Sequence, residues 1–185
     1  MLHEIFTFVI DTIAGLFAGF LLLRFWMQVQ RVRPPMALAQ AIFQITDWMI
    51  QPLRRVVPGF RGYDWASLVG AFLVALLAMT IDYLLVNSLP LGSIFILALF
   101  RLVQWIFYGL MAILILEAIF SWVNPHAPLA PFIRALNDPI LIPIRKVLPS
   151  LGGIDFSPLV AVIVLQVLIR LVNELLLRLL AFGLH

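Results

Sequence analysis

Residues 46–66 read TDWMIQPLRRVVPGFRGYDWA, and residues 137–157 read NDPILIPIRKVLPSLGGIDFS. The two stretches align at an offset of 91 without a gap. Seven of 21 positions are identical: Asp47/Asp138, Pro52/Pro143, Arg54/Arg145, Val56/Val147, Pro58/Pro149, Gly62/Gly153 and Asp64/Asp155. Pro34 and Pro125 match at the same offset, and Arg55 with Lys146 keeps the charge. A gapless match rich in Pro, Gly and charge marks a duplication. The halves are therefore residues 1–90 and 91–185.

Outward from each stretch the chain turns apolar. Four runs stand out, at residues 5–26, 65–86, 93–123 and 158–182. Each meets the length of about 20 residues that a helix needs to cross the hydrocarbon core. In lipid the backbone must satisfy its own hydrogen bonds, so these runs are predicted to be helices. The duplicated unit is then helix, amphipathic segment, helix, with the segments at residues 27–64 and 124–157. A unit that crosses twice leaves the next copy in the same orientation. The copies should be related by a pseudo-twofold axis along the membrane normal, the parallel kind of repeat. The fold class is all-α and integral to the membrane, with four spans.

Composition agrees. Of 185 residues, 64% are hydrophobic and 11% charged, against about half and about a quarter in soluble domains. A mean hydropathy of +1.11 excludes a soluble globular enzyme, a disordered chain and a secreted disulfide scaffold. There is no Cys, hence no disulfide and no thiolate metal site. The first run is read as a span rather than a cleavable signal, because no cation precedes it and Glu4 and Asp11 lie near its start.

The cations set the orientation. Arg31, Arg33, Arg54, Arg55 and Arg61 lie in the first long segment, and Arg134, Arg145 and Lys146 in the second. The short connection Asn87–Gly92 has none. By the positive-inside rule both long segments face the cytoplasm, and both termini and the short connection face out; Arg178 near the C-terminus is the counterweight.

The pattern N/T-D-x4-P-x-R-[RK]-V-x-P-x3-G-x-D, followed by an apolar helix, resembles the YggT family of small bacterial membrane proteins. The likeness covers nearly the whole chain as two tandem repeats. The second copy is the fuller match: Ser121-Trp122-x-x-Pro125, Asn137-Asp138-Pro139, Pro143-x-Arg145-Lys146, then Gly152-Gly153-x-Asp155-x-Ser157-Pro158. In the first, Trp48 replaces the Pro after Asp, and Arg61 replaces the first Gly of the pair. The resemblance implies a multi-pass protein of the bacterial inner membrane. Family members look linked to osmotic stress tolerance and ion balance, some lie near cell-division genes, and chloroplast relatives look like assembly factors for a cytochrome complex. No catalytic residue comes with the resemblance.

Residue by residue, Asp64 and Asp155 stand just before spans, where an Asp accepts from free helix N–H groups. Ser157 is expected as a cap with Pro158 at the first helical position. The alternative, a symmetric carboxylate pair as in an aspartyl protease, lacks any further catalytic pattern. Asp47 and Asp138 precede amphipathic stretches. In the second copy Leu136, Ile140, Ile144, Val147 and Leu148 recur at helical spacing, with Pro143 bending the helix, while Arg134, Arg145 and Lys146 point to headgroups. Arg54, Arg55, Arg145 and Lys146, with Asp47 and Asp138, thus form an expected surface for anionic lipid or a partner protein. Gly15 and Gly19, flanked by Ala14 and Ala18, form a face for close helix approach, as do Ala66, Gly70 and Ala71.

Charges inside the spans should find partners, because an unpaired one is costly in lipid. Arg24 and Glu117 fall at similar inner depth and are predicted to pair. Asp11, Asp82, Arg101, Glu174 and Arg178 fall in the outer half and Arg170 near the middle, with Arg170 and Glu174 four apart on one helix face. These are read either as ion pairs that set helix register or as a polar path for protons or cations. His3, His126 and His185 lie far apart and show no metal-ligand spacing, so neither cofactor nor metal is expected. Trp26, Trp48, Trp65, Trp105 and Trp122 are read as interfacial anchors. Expected partners are anionic headgroups and either a second protein or further copies of the chain, with no nucleic acid. Two function classes remain: a non-enzymatic accessory or assembly factor, or an ion-homeostasis component such as an oligomeric channel or transporter subunit.

Overall fold

A computed structural model describes residues 2–59, 62–86, 93–148 and 155–183. The connection Asn87–Gly92, Arg61 and the motif residues Pro149, Gly152 and Gly153 lie outside the described residues. Six α-helices follow in order: α1 Leu2–Val29, α2 Met36–Val56, α3 Trp65–Val86, α4 Ile94–Val123, α5 Ala130–Val147 and α6 Ser157–Gly183. α1, α3, α4 and α6 are each long and apolar enough to cross a membrane. α2 and α5 are shorter and amphipathic, each ending in its basic pair, Arg54-Arg55 or Arg145-Lys146. Pro52 lies within α2, and Pro139 and Pro143 within α5. A helical proline leaves the carbonyl four residues back without its donor. Pro52 and Pro143, with Trp48 and Pro139 four positions before them, are all exposed.

The two copies repeat their internal contacts. α1 packs on α3 as α4 packs on α6, and α2 and α5 each lie against both spans of their own copy. α1 and α4 run parallel, because Arg101 meets Asp11 near the start of both helices and Trp105 meets Gly15 one turn later. Further along, Trp26 Nε1 donates to the Leu136 carbonyl at 3.0 Å. The amphipathic helices therefore share one end of the bundle. There Met27, Ile42, Phe132, Ile133 and Leu136 form a common apolar cluster. Contact between copies is one-sided. α4 packs on both α1 and α3, whereas α6 is not among the helices packed extensively on the first copy.

Small residues allow the close approaches. A Cβ at Gly15 would stand 3.3 Å from Trp105 Nε1, and one at Gly70 would stand 3.3 Å from Ile50 Cδ1 of α2. Gly19 faces open space, so only the first glycine of that pair makes a contact. Trp105 is correspondingly not an interfacial anchor. It is 9% exposed in the middle of α4, because the missing side chain at Gly15 makes room for its indole. Gly15→Leu should cost about 1–3 kcal/mol by overpacking, while Gly19→Leu should be near neutral; thermal unfolding in detergent micelles compares the two.

Candidate functional site

The repeated motif builds a repeated latch. Residues seven apart on a helix share a face, so Asp47 with Arg54, and Asp138 with Arg145, lie on one side of their helices, two turns apart. The next residue, Arg55 or Lys146, is turned about 100° away and is exposed. Both helices end alike: the Val57 N–H donates to the Leu53 carbonyl and the Leu148 N–H to the Ile144 carbonyl, each at 2.8 Å. The chain then turns back, in the first copy through Gly62 at φ +83°, a conformation that favours glycine. An Asp ten residues downstream meets the Arg that shares a side with the first Asp.

In the first copy Arg54 Nε and Nη2 donate to the two oxygens of Asp64, at 3.3 and 2.7 Å. Ser67 Oγ donates to the same carboxylate at 2.7 Å. Arg24, reaching in from α1, has its Nε 3.3 Å from Asp64 and donates through Nη1 to Asp47 and to Thr46 Oγ1. Its guanidinium also lies 4.7 Å from the centre of the Phe43 ring. Two cations face two carboxylates, and Arg24 and Asp64 are only 7% and 3% exposed.

The second copy has the same latch with a different charge count. Arg145 Nε donates to Asp155 at 2.8 Å, Nη1 to Asp138 at 3.1 Å, and Nη2 to Glu117 of α4. One guanidinium serves three carboxylates. The second oxygen of Glu117 is buried without a hydrogen-bond partner among the described residues. Asn137, at the position equivalent to Thr46, donates to the Ile113 carbonyl at 3.0 Å.

This geometry corrects the expected Arg24–Glu117 pair. Arg24 binds Asp47 and Asp64 of its own copy, and Glu117 binds Arg145 of its own copy. Similar depth was a necessary condition only. The turn into the next span delivers a nearer counter-charge to each within the same hairpin. Of the two caps expected at the start of α6, Asp155 makes one and Ser157 does not. The Ser157 N–H donates to Asp155 at 2.9 Å, while Ser157 Oγ is buried without a partner. Asp155 is thus both cap and latch.

The charges outside the spans respond to these contacts. Burial pushes the Asp64 carboxyl up, but hydrogen bonds from Arg54 and Ser67 and the charges of Arg54 and Arg24 outweigh it and hold Asp64 below the ordinary carboxylate value. At Asp155 burial is again opposed, by the Ser157 N–H and by Arg145, and the result is again downward. Both acids are held as carboxylates, a poor state for a shared-proton pair of the aspartyl-protease kind.

The remaining expected residues fall into two groups. Arg101 lies 3.2 Å from Asp11 and 4.0 Å from Asp82, so α1, α3 and α4 are tied by two acids and one Arg. Arg170 and Glu174 lie on the outer face of α6 and are exposed. Among the described residues no group of three or more His, Cys, Asp and Glu could hold a metal ion. A groove of ≈ 610 Å³ between α1, α2 and α3 is lined by apolar side chains such as Phe17, Trp48 and Leu77, so it offers an apolar surface without titratable groups. Sequence reading did not single out the Thr46 and Asn137 contacts. The seven-residue Asp–Arg spacing did contain the signal that Arg54 and Arg145 each share a helix side with the latch aspartate.

Comparison with known proteins follows the same two halves. A family model described as CCB3/YggT matches residues 3–85 and 96–176. The chain is 36% identical over 171 residues to an Escherichia coli K12 protein named uncharacterized protein YggT, covering 92% of this chain and 90% of that protein. It is 35% identical over 176 residues to an uncharacterized Pseudomonas aeruginosa protein, covering 89% and 86%. To an uncharacterized Vibrio alginolyticus protein it is 30% identical over 172 residues, covering 86% and 89%. No solved structure matches the chain.

Proposed function

Because the chain belongs to the CCB3/YggT family, we propose that this multi-pass membrane protein is a non-enzymatic accessory or assembly factor that docks partners on a cationic shelf at one end of its bundle. The observation that carries this reading is the splitting of each basic pair. Arg54 and Arg145 are held by the latch carboxylates, Arg54 while still 46% exposed, whereas Arg55 and Lys146 make no latch contact and are exposed at the same end, together with Arg31, Arg33 and Arg134. The latches hold α2 and α5 rigidly against the spans, so the outward cations are presented at fixed positions. Excess Arg and Lys at this end favours the cytoplasmic side of a bacterial inner membrane. There each cation attracts an anionic leaflet or an acidic partner by about 1 kcal/mol.

The test uses the outward residues. Reversal at Arg54 or Arg145 would break a latch and report on the fold. Arg55→Glu with Lys146→Glu should leave thermal unfolding unchanged and abolish co-purification of a partner from native membranes in mild detergent. Retention of the same partner by the double variant would refute the docking shelf.

A second reading, ion homeostasis under osmotic stress, draws on a different observation. The Oδ1 atoms of Asp11 and Asp82 are buried in the span region without partners among the described residues. Cation flux into proteoliposomes that vanishes in Asp82→Asn would favour it over the docking role.

A further inference from the structure

α6 carries a polar stripe where lipid would be expected. Gln166, Arg170, Glu174 and Arg178 are spaced four apart. Every fourth residue of a helix lies about 40° beyond the last, so the four form one slowly winding ridge. All four are exposed. The opposite side of the helix, with Ala161, Leu165 and Ile169, is buried toward the rest of the bundle. Asn173, seven residues after Gln166 and so on the flank of the stripe, turns to the bundle and accepts from Gln104 Nε2 of α4 at 2.6 Å. Among the described residues the stripe makes no hydrogen bond or ion pair, and Arg170 and Glu174 do not pair along the helix.

Depth makes this unusual. α6 starts at Ser157, at the end of the bundle that holds α5. At about 1.5 Å per residue, Gln166 lies about 14 Å, Arg170 about 20 Å and Glu174 about 26 Å along the helix, within a hydrocarbon core about 30 Å thick. Helical side chains lean toward the helix N-terminus, so Arg170 leans deeper into the core. Charges at such depth face a bundle interior or another protein rather than acyl chains. α6 is also the span left at the edge by the one-sided contact between the copies.

We propose that a second copy of this chain covers the stripe, α6 against α6, in a dimer whose twofold axis runs along the membrane normal. The charges are self-complementary in that arrangement. Membrane insertion gives both copies the same direction, which sets Arg170 opposite Arg170 of the partner subunit. One turn along, about 6 Å, is Glu174 of the partner subunit, within reach of the long Arg side chain. The twofold makes the bond reciprocal, so two cross-pairs form and the Gln166 amides meet near mid-membrane, as polar side chains do between transmembrane helices.

The full chain in liposomes tests this directly, since it has no native Cys. Val167→Cys, on the stripe side and 52% exposed, should form an intermolecular disulfide under mild oxidation. Ile119→Cys, on α4 and 47% exposed, should not. Arg170→Glu and Glu174→Arg should each weaken the dimer about tenfold, the scale of a strong interhelical polar contact. The double exchange restores opposite charges across the twofold and should restore association. Should a single variant fail to insert, the disulfide comparison alone decides. Equal cross-linking at positions 119 and 167, absence of a dimer at 167, no rescue by the double exchange, or a cross-link at 167 solely to a different protein in native membranes would each overturn the proposal.

Discussion

Arg145→Ala is expected to destabilise the protein by about 3–5 kcal/mol, the range for removing one member of a buried ion pair. Arg54→Ala, at the equivalent position of the first copy, should cost about 1 kcal/mol, near the top of the range for exposed pairs. The motif residues are identical, so the difference lies in what surrounds them. Asp64 keeps Arg24 when Arg54 is lost. Glu117, Asp138 and Asp155 have Arg145 in common, and no other ion pair of theirs is present among the described residues. Arg54 is also the more exposed of the two, 46% against 29%. Adding Glu117→Gln to Arg145→Ala should recover part of the loss, because it removes the most buried uncompensated charge. Unfolding of the purified protein in micelles, arranged as a double-mutant cycle, measures both effects. Equal losses at the two arginines would show that the copies are energetically equivalent, contrary to this account.

Asp64→Asn should cost about 3 kcal/mol. It leaves Arg24 buried with Asp47 alone and Arg54 without its fork partner. The same residue predicts a pH dependence. Its folded-state value is depressed, so its stabilisation is fully present above the unfolded carboxyl value of about 3.9. It is lost as pH falls through the lower folded value. Asp155 behaves in the same way. The wild-type melting temperature should therefore fall on acidification below about pH 4. The fall should be shallower in Asp64→Asn and shallowest in Asp64→Asn with Asp155→Asn. Parallel acid profiles for the three proteins would exclude these carboxylates as the linked groups.

Much of the latch was legible in the chain. The offset of 91 marked Arg54, Asp64, Arg145 and Asp155 as equivalent, and run length marked four spans. Capping chemistry placed Asp155 at a helix start. The Arg–Asp contact itself was not read, because a pair ten residues apart across a turn can be made or missed according to the turn's path. Reading Arg54 and Arg55 as one surface overlooked the 100° rotation between neighbours. An aromatic near a span end and one in a helix crossing look alike until the facing residue is known, and for Trp105 that residue is Gly15.

The order of residues by itself determined that this is a duplicated, four-span membrane protein with basic amphipathic connections. Those properties depend on local periodicity, segment length and the cost of dehydrating peptide groups, all of which act along the chain. Only the tertiary structure decided which charge meets which: Arg24 with Asp47 and Asp64, Glu117 with Arg145, and a polar ridge on α6 left facing outward. Ion pairing depends on distances of a few ångströms between groups far apart in the chain, and helix rotation and crossing set those distances.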